Sequence, residues 1–391
     1  MCSLEVIFWI CVFIVFYTYL GYGILLYLLV KTKELFISPK NLTLPDNLPE
    51  VTLLIAAYNE EDIVKEKMSN TLALRYPASL LKIVWVTDGS TDNTNALLKE
   101  YPQVNIIFDP QRGGKAAAFN HAMPLIKTPL VVYTDANTML CEDAIREIVI
   151  EFTDTKVGCV AGEKRVSRKE QQNAAASEGL YWHYESTLKA LDYRLYSAVG
   201  AAGELFAIRT NLYMEFPKDT LLDDFMLSMK IAQRGYKIAY CSKAYATEGA
   251  SADIKQEAKR KIRISAGGIQ SIIRLRGLLN IFRYGTLSFQ YISHRVLRWS
   301  ITPFLWFSIL PLNIILSIYG EPSWLYLSIL ILQLIFYALG ICGYMINDKE
   351  IKNKFIFIPY YFLFMNVCVL QGISYLRKNK GIGTWEKAKR G

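Results

Sequence analysis

Residues 51–61, VTLLIAAYNEE, join an unbroken apolar run to a cluster of polar and acidic side chains. Three later runs have the same form: KIVWVT (82–87), VNIIF (104–108) and LVVYT (130–134). Short, continuous apolar runs are typical of strands that are buried on both faces of a sheet. Helical segments are predicted between and after these runs, near residues 60–74, 92–100, 114–126 and 141–152. The alternation predicts an α/β domain that begins at about residue 50.

Polar side chains follow each predicted strand, and in an open parallel sheet the ligand binds at the carboxyl ends of the strands. These segments are YNEE (58–61), DGSTD (88–92), DPQRGGK (109–115) and DAN (135–137). For any single Asp or Asn, the alternative interpretation is a helix N-cap. Four polar segments in register instead favour a nucleotide site at this edge of the sheet. The chain has no GxGxxG after the first strand and no GxxxxGK[ST], which disfavours dinucleotide-binding and P-loop proteins.

Two of these segments have a chemistry of their own. Residues 112–115, RGGK, combine two glycines that allow close backbone approach with two cations, as an anion-binding loop requires. Asp135 and Asn137 place two oxygen-bearing side chains on one side of the chain, and hard divalent cations prefer such ligands.

Apolar, charge-free runs at both ends of the chain predict membrane helices. Val6–Val30 has 25 residues and would be about 37 Å long as a helix, enough to cross roughly 30 Å of hydrocarbon. We therefore expect an N-terminal anchor over 1–33, with the basic residues that follow the run holding the next domain in the cytoplasm. Three further runs, within 299–376, predict a C-terminal membrane region of two or three helices.

The segment between the sheet and the C-terminal membrane region mixes apolar residues with arginines. Over 269–298 this pattern predicts interfacial helices, with a simple linker as the alternative. The tail at 377–391 is basic, and we expect it in the cytoplasm. Strict alternation of three spans would place the tail outside instead, unless the last run re-enters the membrane.

The net charge of +9 is concentrated in two windows of the chain. Residues 255–276 carry +6 and residues 377–391 carry +5, so the remainder is slightly acidic. This distribution does not indicate a nucleic-acid surface, and it predicts anionic membrane lipids and an anionic substrate as partners. The seven cysteines are scattered without a CxxC pair, which argues against a zinc site or a disulfide framework.

Seven motifs occur in an order and spacing that resemble the family-2 glycosyltransferases, which include the hyaluronan, cellulose and poly-N-acetylglucosamine synthases. They are AAYNEE (56–61), VTDGSTDN (86–93), GGKAAAFNHA (113–122), TDAN (134–137), GAAGELFAIR (200–209), LLDDF (221–225) and KRKIRISAGG (259–268). The resemblance covers residues 50–268. It implies a Rossmann-like GT-A domain flanked by membrane helices, a nucleotide-sugar donor, Mg²⁺ or Mn²⁺, and inversion at the anomeric carbon.

The resemblance also implies roles for individual residues. It implies that eight residues contact the nucleotide, base or ribose, or diphosphate of the donor. These residues are Tyr58, Asn59, Glu60, Asp88, Lys115, Asp135, Arg260 and Arg263. Asp135 and Asn137 stand where the family has its metal-binding DxD, and Asp224 stands where it has the general base. Without the resemblance, Asp223 and Asp224 read equally well as acids that complement a helix dipole. The resemblance also implies that Asp223, Glu204 and Ile264 contact the acceptor.

One departure bears on the product. Processive members carry QxxRW after the base motif, whereas residues 260–264 read RKIRI. Arg263 is kept, but Arg260 replaces the glutamine and Ile264 replaces the tryptophan that lies by the acceptor sugar. A helix predicted over 174–193 offers further residues that could reach an acceptor, with core packing as the alternative: Glu178, Tyr181, Trp182 and Glu185.

The sequence therefore predicts an integral membrane enzyme, in a bacterial inner membrane, with a cytoplasmic catalytic domain. We expect it to transfer a sugar from a nucleotide-sugar, a UDP-sugar above all, to a lipid-linked or polysaccharide acceptor in polysaccharide biosynthesis. Two alternatives stay open at this point. One is a processive exopolysaccharide synthase that also translocates its polymer, and the other is a catalytically inactive subunit of an export complex.

Overall fold

A computed structural model of the chain describes residues 2–38, 40–166, 175–249, 254–346 and 353–378. Within these ranges the centre of the molecule is one mixed sheet with the strand order β3-β2-β1-β4-β7-β6-β8-β5. The strands are β1 Val51–Ala57, β2 Leu81–Asp88, β3 Val104–Asp109, β4 Leu130–Asp135, β5 Met139–Leu140, β6 Val157–Val166, β7 Leu205–Arg209 and β8 Lys237–Glu248.

The four predicted strands are β1 to β4, and they form the parallel half of the sheet. Strand β1 pairs in parallel with β2 and β4, and β2 pairs in parallel with β3. The register sets Ala56 opposite Asp135 and Asp88 opposite Asp109, so these strands end at the same level. The polar segments after the strands therefore meet at one edge, as the sequence predicts.

The other half of the sheet was not predicted from the sequence. Strand β7 runs antiparallel to β4, and β6 and β8 pair in parallel beyond it. Because Leu205 pairs with Thr134, the loop that enters β7 lies beside the end of β4. This pairing brings Glu204 and the loop 200–204 next to Asp135.

Helices cover both faces of the sheet, so each face carries an apolar core. The helices of this part of the chain are α3 Val64–Leu72, α4 Thr94–Leu98, α5 Lys115–Ala122, α6 Ala144–Glu151, α7 Ala175–Leu195, α8 Asp223–Gln233 and α9 Ile254–Arg274. One core packs Phe119, Tyr133 and Phe206 with Phe225 of α8. The polar segments lie at the edge of the sheet where β1 to β4 end.

Four helices in the described residues are long and apolar enough to cross a membrane. The first joins α1 (Cys2–Phe16) to α2 (Tyr22–Phe36) through a π-helical turn. The others are α13 Ile301–Tyr319, α14 Ser323–Met345 and α15 Lys354–Lys378. Helix α15 continues through Pro359, and its Gly372 packs against Ser265 of α9. The C-terminal half of α15 thus lies beside α9, while the basic tail from residue 379 lies outside the described residues.

The predicted interfacial segment at 269–298 is built from short helical pieces. After α9 come a 3₁₀ turn, α10 (Ile281–Tyr284), α11 (Thr286–Tyr291), a π-helical turn and α12 (Leu297–Trp299). Leu278, Tyr291 and Trp299 are buried in the core beside the sheet, whereas Phe282 is fully exposed. Much of the segment therefore packs on the α/β core rather than projecting away from it.

Candidate active site

Lys115 lies at the centre of the polar edge. It is the first residue of α5, and its Nζ is 2.6 Å from Oδ1 of Asp135 at the end of β4. Partial burial disfavours the charged ammonium, but Asp135, Asp223 and Asp224 outweigh that effect and raise the pKa of Lys115. The structure thus brings together four predicted residues from β4, α5 and α8. Lys115 remains charged at neutral pH.

Asp224 is the carboxylate with the most altered acidity in this cluster. Burial and the neighbouring Asp223 raise its pKa from 3.8 to about 7, although Lys115 and the backbone N–H of Phe225 favour the charged form. The Phe225 N–H donates to Oδ1 of Asp224 at 2.7 Å, which fixes the carboxylate at the start of α8. A carboxylate with a pKa near 7 is well matched to accepting a proton at neutral pH.

Asp223 has a different environment, although it is adjacent in sequence. It is 5 % exposed, and its buried Oδ2 has no hydrogen-bond partner among the described residues. Its charge acts on Tyr213 and on Asp224. Asp223 is therefore a buried neighbour that raises the pKa of Asp224. Its predicted contact with the acceptor stays a prediction.

Glycines at two positions of the loop 200–204 allow α8 to approach the sheet. Gly200 has φ +87°, and a Cβ there would lie 2.2 Å from the ring of Phe225. A Cβ on Gly203 would lie 3.0 Å from Nζ of Lys115 and 3.3 Å from Oδ2 of Asp224. Gly203 therefore borders the space between the cation and the carboxylate, and a side chain would intrude there.

Asp88 holds the glycine loop that precedes α5. Its Oδ1 accepts from the N–H of Gly113 and its Oδ2 from the N–H of Gly114, both at 2.7 Å, and the residue is 6 % exposed. Gly114 has φ +89°, a conformation that glycine adopts without strain. The described contacts of Asp88 therefore position the loop and Lys115, while its predicted contact with the base or ribose stays a prediction.

The segment after β1 is tied to the segment after β2. Asn59 has φ +51°, and its Oδ1 accepts from the N–H of Thr91 at 2.8 Å. The N–H of Glu60 donates to Oγ1 of Thr94 at 2.9 Å. The ring of Tyr58 lies 3.8 Å from the guanidinium carbon of Arg112, a cation–π pair that sequence reasoning did not predict. These contacts form one wall at the carboxyl ends of β1 and β2.

The predicted metal ligands present oxygen atoms that suit a hard divalent cation. Oδ1 of Asn137 is buried and has no hydrogen-bond partner within the described part of the chain, an unfavourable state that a cation would relieve. Asp135 contributes a half-exposed carboxylate that binds Lys115 through Oδ1. No group of three or more His, Cys, Asp or Glu side chains able to hold a metal occurs in the described ranges. The two oxygens therefore fit a cation that takes its other ligands from a bound diphosphate and water.

Glu204 and Arg260, predicted on opposite sides of the reaction, are bound to each other. Oε1 of Glu204 is 3.1 Å from Nη2 of Arg260 and 2.7 Å from Nζ of Lys164. Lys164 also binds Glu248 of β8. Burial opposes ionisation of Glu204, but the two cations lower its pKa below the ordinary value. This network links α9 to the antiparallel half of the sheet, and Lys164 and Glu248 were missed because no strand was predicted around them.

Helix α9 packs along the segment that carries Asp223 and Asp224. A Cβ on Gly267 would lie 2.6 Å from Cγ of Leu222, and Ile264, three residues earlier, is half-buried on the same part of α9. Arg263 makes no hydrogen bond or ion pair within the described residues, and its charge acts on the hydroxyl of Tyr375 of α15. The structure thus places Arg263 where α9 meets α15.

A buried ionic network behind the site joins α7 to the membrane helices. Asp192 accepts from Tyr22 of α2 at 2.5 Å and lies 2.6 Å from Nδ1 of His294. Glu185 binds Arg295 and is 3.1 Å from Nη1 of Arg298. Glu185 was expected from the sequence to reach an acceptor or to pack in the core, and its described contacts are these ion pairs. The side chains of Glu178, Tyr181 and Trp182 lie outside the described residues.

Comparisons with known proteins identify the relatives of this chain. A family model described as "Glycosyltransferase like family 2" matches residues 49–267. The chain is 28 % identical over 240 residues to the poly-β-1,6-N-acetyl-D-glucosamine synthase of Staphylococcus aureus, which covers 59 % of this chain and 57 % of that protein. It is 28 % identical over 171 residues to the β-monoglucosyldiacylglycerol synthase of a Nostoc strain, which covers 41 % of this chain and 34 % of the relative. The chain thus spans little more than half the length of the synthase and a third of the other relative.

A solved structure has the same fold over nearly the whole chain. It is the mannosyltransferase PcManGT from Pyrobaculum calidifontis in complex with GDP-Man and Mn²⁺, with a TM-score of 0.72 and 21 % identity. The similarity covers 96 % of this chain and 99 % of that one. The expected α/β GT-A fold with flanking apolar helices is confirmed.

Proposed function

Because the chain belongs to glycosyltransferase family 2, we propose that it transfers a sugar from a nucleotide-sugar to a membrane-associated acceptor, with inversion at the anomeric carbon. The observation that carries this proposal is Asp224. Its carboxylate has a pKa raised to about 7 and lies beside Lys115, which binds Asp135. A carboxylate of raised pKa, a cation and a pair of oxygen-bearing side chains lie at one edge of the sheet, which supports a single displacement.

The donor side of the reaction is assigned to the carboxyl ends of β1, β2 and β4. Tyr58, Asn59 and Glu60 line one wall there, and Asp88 holds the loop that carries Lys115. In this proposal the ammonium of Lys115 offsets negative charge on the diphosphate. UDP-sugars are the expected donors, and GDP-sugars are the second class to test, because a neighbour of the same fold is described with GDP-Man.

The acceptor side is assigned to the face at the start of α8 that carries Asp224, where α9 packs on Leu222. Asp224 accepts the proton of the acceptor hydroxyl while that oxygen forms a bond to the anomeric carbon. The bond from this carbon to the diphosphate oxygen breaks, and the nucleoside diphosphate leaves with both bonding electrons. Glu204, held by Lys164 and Arg260, supports the position of α9 beside this face.

Asp135 and Asn137 are proposed to hold Mg²⁺ or Mn²⁺. When bound, the cation would neutralise charge on the departing diphosphate. The buried Oδ1 of Asn137, which no described residue hydrogen-bonds, supports this assignment, as does the Mn²⁺ described in the neighbouring structure. An amide contributes no charge, so we expect weaker metal binding than two carboxylates would give.

The remaining proposals concern location and product. We propose that the four apolar helices span a membrane, a bacterial inner membrane by expectation, with the α/β part in the cytoplasm. We propose a single transfer to a lipid-linked or glycan acceptor, because Ile264 offers no flat ring on which an acceptor sugar could stack. The alternative of processive synthesis is supported by the similarity to a polysaccharide synthase.

One experiment tests the reaction and its product together. The detergent-solubilised chain is incubated with a panel of radiolabelled UDP- and GDP-sugars and Mg²⁺ or Mn²⁺, and nucleotide release is measured. The same reaction is then run in liposomes that contain polyprenyl phosphate and polyprenyl-diphosphate-linked N-acetylglucosamine. We expect release with one donor and a product of one added sugar. No release with any donor would refute the proposed enzyme, and a ladder of long polymer would refute single transfer.

A further inference from the structure

Lys67 is a fully buried lysine of α3 that the reaction proposed above does not use. It lies between Val64 and Met68, which are buried on the face of α3 that packs in the core of the sheet. Burial lowers the pKa of Lys67 to about 7, although the carboxylate of Asp135 favours its charged form. Burial of an amine costs folding free energy, so this placement points to a role other than stability.

The amine of Lys67 contacts both ends of the turn that carries the predicted metal ligands. Its Nζ donates to the carbonyl oxygen of Thr138 at 2.5 Å and to Oγ1 of Thr134 at 3.2 Å. Asp135 and Asn137 lie between these two threonines in the chain. Among the described residues Lys67 makes no ion pair, and these two hydrogen bonds tie it to this turn alone.

A buried polar cluster surrounds this contact. The side chains of Thr134 and Thr138 are fully buried, and their Oγ1 atoms lie 2.8 Å apart. Oγ1 of Thr138 donates to the carbonyl oxygen of Asp135 at 3.0 Å, which closes the turn. Oγ1 of Thr134 donates to the carbonyl oxygen of Glu204 at 2.9 Å. The cluster therefore joins α3, the turn after β4 and the loop that enters β7.

Resting on the proposed function, we propose that Lys67 is a positioning residue of the metal site. By binding both ends of the turn, it holds the carboxylate of Asp135 and the amide oxygen of Asn137 in the geometry that one divalent cation takes. The charged and the neutral amine both donate hydrogen bonds, so this role does not depend on the protonation of Lys67. Affinity for a hard cation is set by ligand charge and by the rigidity of the site. A pair with a single carboxylate therefore depends on a rigid turn.

The affinity for Mn²⁺ tests this role directly. Binding to the detergent-solubilised wild type and to Lys67→Met is measured by electron paramagnetic resonance of free Mn²⁺, with and without UDP or GDP. Loss of a group that orients metal ligands weakens metal binding about ten- to a hundredfold, and we expect a rise of this size in the Kd of Lys67→Met for Mn²⁺. Nucleotide release by this variant should need correspondingly more Mn²⁺, with kcat largely restored when Mn²⁺ is saturating.

The sign of the change separates positioning from an effect of charge alone. If Lys67 acted only as a positive charge near the cation, its removal would relieve repulsion and tighten Mn²⁺ binding. Positioning predicts the opposite, because the turn loses its hydrogen bonds. Tighter or unchanged binding of Mn²⁺ to Lys67→Met would therefore overturn the inference.

Asn70→Ala is the matched control on the same helix. Asn70 lies three residues after Lys67, and its side chain makes two hydrogen bonds of 2.8 Å with the backbone of Leu140 in β5. This variant also loses two hydrogen bonds, but beyond the turn, so its Tm should fall while its Kd for Mn²⁺ stays within about twofold. Equal weakening in Asn70→Ala and Lys67→Met would show a general loosening of α3 and would count against positioning by Lys67.

Thr138→Val decides the matter if Lys67→Met does not fold. Valine keeps nearly the shape of threonine but lacks the hydroxyl that donates to the carbonyl oxygen of Asp135. Because Lys67 acts through this turn, loosening the turn in this way should also weaken Mn²⁺ binding. In that case an unchanged affinity of Thr138→Val for Mn²⁺ overturns the inference.

Failure of the inference and failure of the proposed function give different results. A wild type that binds no Mn²⁺ under any of these conditions, or an Asp135→Ala variant that binds it equally well, refutes the proposed metal site, and the inference falls with it. Loss of Mn²⁺ binding in Asp135→Ala but not in Lys67→Met overturns the role of Lys67 alone.

Discussion

Replacing Asp224 by asparagine should inactivate the enzyme and stabilise its fold at neutral pH. The carboxyl is destabilised in its charged form by burial and by Asp223, which raise its pKa from 3.8 to about 7. Such a rise corresponds to about 4 kcal/mol of lost stability when the group is fully ionised. Asparagine keeps an oxygen that can accept from the Phe225 N–H, but it carries no charge and accepts no proton. The variant should therefore lose the base, and it should also lose the cost in folding stability of burying the charged carboxylate.

The sign of the pH dependence follows from proton binding. Between about pH 4 and pH 7 the folded chain retains a proton on Asp224 that the unfolded chain has lost, so wild-type stability falls as pH rises through this window. Asp224→Asn lacks this dependence. Its gain in stability over the wild type should be about 2 kcal/mol at pH 5 and about 4 kcal/mol at pH 8. For a domain of this size, that gain corresponds to a Tm several degrees higher at pH 8.

Three measurements check this prediction: nucleotide release, donor affinity and Tm at pH 8. Nucleotide release should fall roughly a hundred- to ten-thousandfold, the usual contribution of a general base, while donor affinity by calorimetry changes little. Asp154→Asn is a control, because contacts with Lys40 and the Lys156 N–H outweigh its partial burial and lower the Asp154 pKa. That variant should lose stability and keep turnover. Loss of donor binding in proportion to rate, or a lower Tm for Asp224→Asn at pH 8, would refute the base assignment.

Three further changes test the neighbouring geometry. Asp223→Asn removes the like charge beside Asp224, so the acidic limb of the pH–rate profile should move down by about one pH unit; an unmoved limb contradicts this. Asn137→Asp adds a carboxylate to the predicted pair of metal ligands and should tighten Mn²⁺ binding about tenfold in the absence of donor. Electron paramagnetic resonance of free Mn²⁺ measures this binding, and equal or weaker binding would argue against the site. Gly200→Ala places a Cβ 2.2 Å from the Phe225 ring at a residue with φ +87°. The free energy of unfolding should fall by more than about 2 kcal/mol, which would be measured as a lower Tm. An unchanged Tm would show that the loop relaxes freely.

The parallel half of the sheet could be predicted because its strands are continuous apolar runs. Each of β1 to β4 is recognisable from composition alone, and the polar segments that follow them mark the site edge. Strands β6 and β8 carry charged residues, Lys164 and Glu248, whose burial depends on ion pairs between distant parts of the chain. No local pattern indicates such a pair, so these strands and the network around Glu204 required the structure.

The motifs predicted which residues come together better than they predicted the contacts that each residue makes. Lys115, Asp135 and Asp224 come together as the motifs imply. Both carboxylate oxygens of Asp88, however, accept hydrogen bonds from backbone N–H groups of the glycine loop. Lys67 was not singled out at all, because a lone lysine in a helix is usually solvated. Only its place between Val64 and Met68 on the buried face of α3 could have signalled a buried amine.

The charges around Lys115 bear on how the donor enters. This cluster sets three carboxyl groups, those of Asp135, Asp223 and Asp224, beside the ammonium of Lys115. A diphosphate that arrived alone would meet a net repulsion, which a partly buried site screens poorly. A divalent cation bound at Asp135 and Asn137 would cancel the excess, so we expect metal and donor to bind with positive cooperativity. Lys115, released from Asp135 by the metal, would then be available to the diphosphate. We therefore expect the close pair of Lys115 and Asp135 to be the state of the donor site before metal and donor bind.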